Sequence, residues 1–457
     1  MEFSSIIFLV FFALFLISYF MFKNRSYRNI VILLFSLVFY AWGEPIYLFL
    51  ILTMIAINYY LAILIEKKRS KLTLFIGVAI NLLVLIFFKY MDLIITGINL
   101  FPKVDLPLLK IALPVGISFF TFQIISYIID VYRKDVKAQR NILFLGCYII
   151  AFPQLIAGPI VRYETIEDEL INRKESIKLF SYGIKRFIVG MAKKVLIANT
   201  LGLIATNILG QNASTYGFVG SWVGMICYTL QILFDFSGYS DMAIGIGRML
   251  GFNYLENFDY PYISKSVTEF WRRWHISLGT FFKDYVYIPL GGNRVTKRRF
   301  IFNILVVWSL TGLWHGASIN FLLWGLYFGV LLLLEKFYLK AILEKLPKLI
   351  QHIYLLLIVI FGWVLFRSTS FTEITDIVKS MLGLNGLGNL NLFVYTGAFS
   401  IKNIIIFILA ILLSTPIFKK FFDNDSITLS LILLVILVIS ILSIASGSYN
   451  PFIYYRF

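Results

Sequence analysis

Apolar stretches recur from one end of the chain to the other, near 4–21, 29–41, 46–64, 72–89, 107–131, 142–158, 184–208, 216–235, 300–334, 350–367, 401–418 and 427–446. Crossing ~30 Å of hydrocarbon takes about 20 helical residues, so the shorter stretches need flanking residues, tilt or burial in protein. The pattern predicts an all-α polytopic membrane protein with about eleven transmembrane helices. No long polar segment interrupts it. The 457 residues therefore read as a single membrane-embedded domain, 1–457, with N-terminal spans over 1–158, a core region over 159–347 and C-terminal spans over 348–457. No fixed-period repeat or inverted-repeat signature of a transporter is visible.

Three regions depart from a plain succession of spans. Residues 160–186 are charged, with Glu164, Glu167, Asp168, Glu169, Arg173, Lys174 and Glu175, and predict a cytoplasmic loop or surface helix. Residues 236–299 mix Gly, Pro, Asp, Arg and Trp with aromatics, which predicts short or re-entrant segments shielded from lipid by protein. The stretch 300–334 would be about 50 Å long as one straight helix, more than the hydrocarbon core. Gly312 and Gly316 bracket Trp314 and His315 in its middle, so two segments meeting at the histidine fit better than one.

Composition sharpens this picture. Hydrophobic residues make up 60% of the chain and charged residues 14%, against roughly 25% charged in a soluble domain. The net charge of +17 is ordered. Lys23, Arg25 and Arg28 follow the first span, Lys67, Lys68, Arg69 and Lys71 the third, and Arg133, Lys134, Lys137 and Arg140 the fifth. The alternate loops are lean: Trp42-Gly43-Glu44-Pro45, then 91–106 with Asp92, Lys103 and Asp105. Basic loops face the cytoplasm, which puts the N-terminus outside and makes the charge a matter of topology, with no nucleic-acid partner. The first apolar stretch lacks a basic n-region and a cleavage site and reads as a retained span. Cys147 and Cys227 form neither a metal pattern nor a disulfide framework, and no metal-binding motif is present.

The chain has only three histidines. An imidazole among apolar residues tends toward the neutral form a general base needs, which makes His315 the leading catalytic residue. Gly316 beside it would admit close backbone approach, Trp314 would supply a wall, and Ser318 and Asn320 could bind or position through hydrogen bonds. A structural histidine bonded to a neighbouring helix is the alternative. His275 closes Trp271-Arg272-Arg273-Trp274-His275, where two arginines beside an imidazole suit an anion such as a coenzyme's phosphates. A snorkelling interfacial cluster would look the same. Asp235, ending an apolar run, requires a partner, for which Arg272, Arg273 or a histidine would serve. His352 has no polar surroundings in sequence and reads as interfacial.

Ordered motifs carry a resemblance. They include Phe39-Tyr-Ala-Trp42, Leu113-Pro-Val-Gly116-Ile-Ser118-Phe-Phe-Thr-Phe-Gln123, Phe152-Pro-Gln154-Leu-Ile-Ala157-Gly158-Pro159 and Asp235-Phe-Ser-Gly-Tyr-Ser-Asp241. Asn257-Phe-Asp-Tyr-Pro261, the Trp271–His275 run, Tyr285-Val-Tyr-Ile-Pro289-Leu-Gly-Gly-Asn-Arg294 and the closing Asn450-Pro-Phe452-Ile-Tyr454 complete the series. Together they resemble the membrane-bound O-acyltransferase (MBOAT) family, in its bacterial polysaccharide O-acetylation branch. The resemblance implies a ring of helices around a central channel, with His315 as the family's catalytic histidine and His275 as its second site position. It further implies acetyl-coenzyme A as donor substrate with no permanently bound cofactor, a bacterial cytoplasmic membrane, and a polysaccharide acceptor served through an extracytoplasmic SGNH-type partner. D-alanyl transfer to teichoic acid is the alternative within the family; a transporter or scaffold is the alternative outside it.

Overall fold

Helix starts are written into the chain as short polar residues whose side chains accept the first free backbone N–H groups. Ser5 accepts from Phe8 N, Asn24 from Tyr27 N, Ser70 from Leu72 N and Asn141 from Leu143 N. The computed structural model describes residues 1–102, 104–156, 158–419, 426–447, 449–451 and 453. Lys103, Ala157, Phe452 and Tyr454 therefore lie outside the described residues. The chain is all-α, and helices α1 (Ile6–Phe20), α2 (Arg25–Ala41), α3 (Tyr47–Lys68), α4 (Lys71–Ile98), α5 (Ile117–Arg133), α6 (Ile142–Ile150) and α7 (Tyr163–Asn172) come first. Two long helices follow, α8 (Ile177–Leu209) and α9 (Ala213–Met249). Then come two short ones, α10 (Val267–Arg273) and α11 (Ile276–Phe282), and a pair, α12 (Lys297–His315) and α13 (Ile319–Leu343). The chain continues through α14 (Lys348–Arg367), α15 (Phe371–Met381), α16 (Ile401–Leu413) and α17 (Ile427–Ala445).

Among the described residues seven helices are long and apolar enough to cross a membrane: α3, α4, α8, α9, α13, α14 and α17. α1 and α16 are shorter apolar helices. The expected spans at 29–41 and 107–131 fall on α2 and α5, each of 17 residues and carrying polar groups. The stretch 142–158 is not a span. Its helix stops after nine residues, because Ala151 leaves helical geometry and Phe152-Pro153 starts a separate turn. Residues 236–249, expected to be irregular, continue α9 instead. The 300–334 stretch splits at His315, as its length required.

Contacts divide the chain into two compact units. The first unit comprises residues 1–187 and 241–255. Its interior is aromatic: Phe8, Phe12 and Phe15 from α1 meet Phe152, with Phe15 edge-on to it at 5.0 Å. Asn58 and Asn81 exchange hydrogen bonds of 2.8 and 3.1 Å between α3 and α4, a polar fastener worth about 0.6 kcal/mol in a membrane. Arg186 pairs with Asp241 at 2.7 Å.

The second unit comprises residues 188–240 and 256–457. Here α9 bends at Gly217, whose φ of 48° and ψ of −154° no other residue adopts readily. Asp235 is fully buried and pairs with Lys194 at 2.6 Å, rather than with Arg272, Arg273 or a histidine. Its Oδ2 also accepts from Ile453 N at 3.1 Å, while Lys194 donates to Pro451 O. Both charges sit on the long helices, so the nearest cation came from α8, 41 positions back, and not from the motif ahead. Together with these backbone partners the pair forms a buried brace.

Candidate active site

The site grows from the α12–α13 hairpin. α12 ends on His315, the chain is extended at Gly316, and Ser318 restarts helix by accepting from Asn320 N at 3.3 Å. The helices touch through glycine: a Cβ on Gly312 would run into Phe321 O, and one on Gly325 into Trp308 O. That close approach presses His315 into the unit's aromatic core, where it is only 3% exposed. Its ring stands edge-on to Trp324 at 5.0 Å and to Phe366 at 5.3 Å. Gly316 does not open a path for substrate, since the Phe321 ring occupies the space where its Cβ would lie. Ser318 serves as the cap, and Asn320 Nδ2 donates to Ser368 O at 2.6 Å, so both anchor helix ends.

His275 arrives from a different direction. α10 stops at Arg273, Trp274 is extended, and His275 takes a left-handed conformation with φ of 49° before α11 begins. A non-glycine residue held there stores strain of order 1–3 kcal/mol, which surrounding bonds must offset. Residues 257–259 supply them in strand-like pairing: Ile276 N donates to Asn257 O at 3.0 Å, and Asp259 N to Arg273 O at 2.9 Å. Asn257 Oδ1 accepts from Ser277 N at 3.0 Å and from Ser277 Oγ at 2.9 Å, and lies 3.3 Å from His275 Nδ1. Because a backbone N–H can only donate, the Asn257 atom is the carbonyl oxygen. It therefore selects the Nδ1–H tautomer of His275 and leaves Nε2 with the lone pair. His275 lies outside the spanning helices, and burial pushes its ring below the ordinary imidazole value.

The two imidazoles meet, with ring centroids 6.3 Å apart. Trp314 completes the group, 5.7 Å from His275 and 5.0 Å from His315. His275 also borders a cavity of about 570 Å³, walled by Trp271, Trp308 and Thr311 and reached by Arg272 and Lys283. Thus Arg272 and His275 share a space, but Arg273 does not join them. Successive helical residues diverge by about 100°, and Arg273 is turned to Glu269 at 3.0 Å and Asp259 at 2.9 Å. Asp235 stays in its brace with Lys194. His352, expected to have no polar neighbour, has Nδ1 3.2 Å from Ser264 O.

Two positioning residues escaped the sequence reading. Asn257 stood in a quoted motif without a role. Glu335, buried at a π-turn of α13, accepts from Val267 N at 2.6 Å, Thr268 N at 2.9 Å and Thr268 Oγ1 at 2.8 Å. It thereby caps the N-terminus of α10, the helix that carries Trp271 and Arg272 to the cavity. A carboxylate beside Lys336 at the end of an apolar run was the only signal, and it resembles any helix end. Among the described residues no group of acidic, histidine or cysteine side chains is arranged to hold a metal.

The protein is thus a polytopic helical membrane protein in which His275 borders a cavity reached by basic side chains and has the His315 ring centroid 6.3 Å from its own. The chain belongs to the membrane-bound O-acyltransferase family, whose model matches residues 5–372, and is a multi-pass membrane acyltransferase. It is similar to a protein named probable alginate O-acetylase AlgI of Pseudomonas syringae pv. tomato, 41% identical over 80% of this chain and 72% of that one. It is also similar to a peptidoglycan O-acetyltransferase of Helicobacter pylori, 33% identical over 80% of this chain and 76% of that one. A teichoic acid D-alanyltransferase of Bacillus subtilis matches a shorter region, 31% identical over 49% of this chain and 59% of that one.

Proposed function

We propose that the chain transfers an acetyl group from acetyl-coenzyme A on the cytoplasmic side to an acceptor hydroxyl that delivers it to an extracytoplasmic polysaccharide. The observation that carries this reading is His275, which borders the cavity that Arg272 and Lys283 reach and has the His315 ring 6.3 Å from its own. Arg272 and Lys283 would meet the coenzyme's phosphates, and Trp271 and Trp308 would flank its apolar arm. His315 accepts the proton of the acceptor hydroxyl as its oxygen attacks the thioester carbonyl. The carbon–sulfur bond then breaks, and the coenzyme leaves as a thiol once the imidazolium returns a proton. His275, with Nδ1–H fixed by Asn257, offers Nε2 to orient a hydroxyl or thiol. The rings packed on His315 exclude water, which would otherwise hydrolyse the acyl group. In this reading an SGNH-type partner outside the membrane completes delivery. The localisation that follows is the bacterial cytoplasmic membrane with the N-terminus outside.

Alkali-released acetate from cell-surface polysaccharides tests the reading, in a null strain carrying wild type or His315→Ala at matched membrane levels. Wild type is expected to restore the ester, and the variant to fall by about 10²-fold or more. Fractionation of the polymers then names the acceptor. Unchanged acetate in every fraction sinks acetyl transfer. A loss of D-alanine esters in its place selects the second reading, favoured by the D-alanyltransferase that matches half of this chain.

A further inference from the structure

The first unit holds a second cavity, far in sequence from either histidine and unused by the proposed reaction. Its volume is about 550 Å³, and Lys23, Arg25, Arg28 and Glu175 line it together with Phe20 and Phe180. Three cations against one carboxylate leave a net charge of +2 on these walls. The carboxylate is already committed: Glu175 pairs with Arg25 at 2.5 Å and Arg28 at 2.9 Å, accepts from Tyr19 OH at 2.7 Å, and faces Arg173 at 3.8 Å from behind. Lys23 is exposed and makes no ion pair or hydrogen bond among the described residues.

The two arginines are not free to turn away into water. Arg28 is buried, with its guanidinium over the Tyr19 and Phe20 rings at 5.1 and 5.4 Å, and Arg25 also donates to Arg173 O. The excess positive charge on these walls favours a counter-anion. Other lining residues are of the opposite character: Phe20 is 39% exposed and Ile177 90%. A soluble anion would leave those side chains uncovered, whereas an amphiphile satisfies both parts at once.

We propose that this cavity binds the phosphate of an anionic phospholipid such as phosphatidylglycerol, whose acyl chains cover Phe20 and Ile177. A zwitterionic headgroup brings its own cation toward Lys23 and is disfavoured. The site thus ties α1, α2 and the start of α8 to the leaflet on the side of the basic loops.

The full-length protein, stripped of lipid in detergent, is titrated in native mass spectrometry with phosphatidylglycerol and phosphatidylcholine of equal chain length. Preferential binding of phosphatidylglycerol is expected, and Lys23→Gln should reduce its affinity about fivefold, the weight of one basic residue near an anionic lipid. Lys402→Gln, an exposed lysine of the second unit, should change nothing. Lys23 touches no other side chain through a polar bond, so its loss leaves the fold intact, and an unchanged melting temperature without lipid verifies that. Equal affinity for the two lipids overturns the proposal. So does an equal loss in Lys402→Gln. Displacement of bound lipid by millimolar inorganic phosphate would assign the site to a soluble anion and overturn it as well.

Discussion

Asn257 divides its carbonyl oxygen among Ser277 N, Ser277 Oγ and His275 Nδ1, and so holds one imidazole by its proton. Asn257→Ala leaves buried donors unmet at a cost of about 1–3 kcal/mol, and it frees the His275 tautomer. The melting temperature should fall, and acyl transfer should fall further than the loss of folded protein accounts for. Transfer that merely tracks folded protein would reduce Asn257 to a brace. Glu175 supplies a pH signature outside the spanning helices. Burial raises its carboxyl pKa, but hydrogen bonds from Arg25 and Tyr19 outweigh that and hold it at about 2 against an ordinary 4.5. A depressed folded-state value contributes stability above pH 4.5 that is lost as pH falls through 2. Glu175→Gln should therefore melt below wild type at neutral pH, with the gap closing between those two values. A gap independent of pH would remove the charge from the account. The sequence singled out two histidines because the chain is poor in histidine and both sit in or beside apolar runs, and their rings do come together. Asn257 was not singled out, since its bonds depend on a left-handed turn 18 residues away.

Between elements, the joint of α12 and α13 governs where His315 stands. A methyl group on Gly325 meets a backbone oxygen of the neighbouring helix, which cannot move as a flexible side chain does. Gly325→Ala should cost about 1–3 kcal/mol by overpacking and displace His315, so that both melting temperature and transfer drop. Gly97→Ala, with open space around it in α4, should be neutral or slightly stabilising. Equal behaviour of the two variants would deny the joint any role. The break at His315 could be read in advance because 300–334 exceeds any single span. The break at Ala151 could not, because a run of Ile, Leu and Phe looks the same whether its helix crosses a membrane or ends against a proline turn. Helical phase explains the arginines: adjacency put Arg272 and Arg273 together on paper, and the turn of α10 sent one to the cavity and the other to Glu269 and Asp259.

For the molecule as a whole, membrane class and family were plain from apolar repetition, ordered basic loops and a long series of motifs. The buried brace was less accessible. Lys194 and Asp235 lie on separate helices, and nothing local marks one as the other's partner. Removing either charge alone should destabilise the fold by about 3–5 kcal/mol, while Lys194→Met with Asp235→Leu should recover much of the loss. Thermal unfolding in detergent decides it, and a double variant no better than the singles would refute the pairing. The brace also bears on how the chain matures. Pro451 and Ile453 supply an acceptor and a donor to it, and Pro451 lies 257 positions beyond Lys194. At about 5–20 residues per second, roughly 13–50 s of translation separate the lysine from that acceptor. During this interval the nascent second unit holds a buried charged pair whose backbone partners at Pro451 and Ile453 are still missing. The brace closes only once residues 451 and 453 have been made.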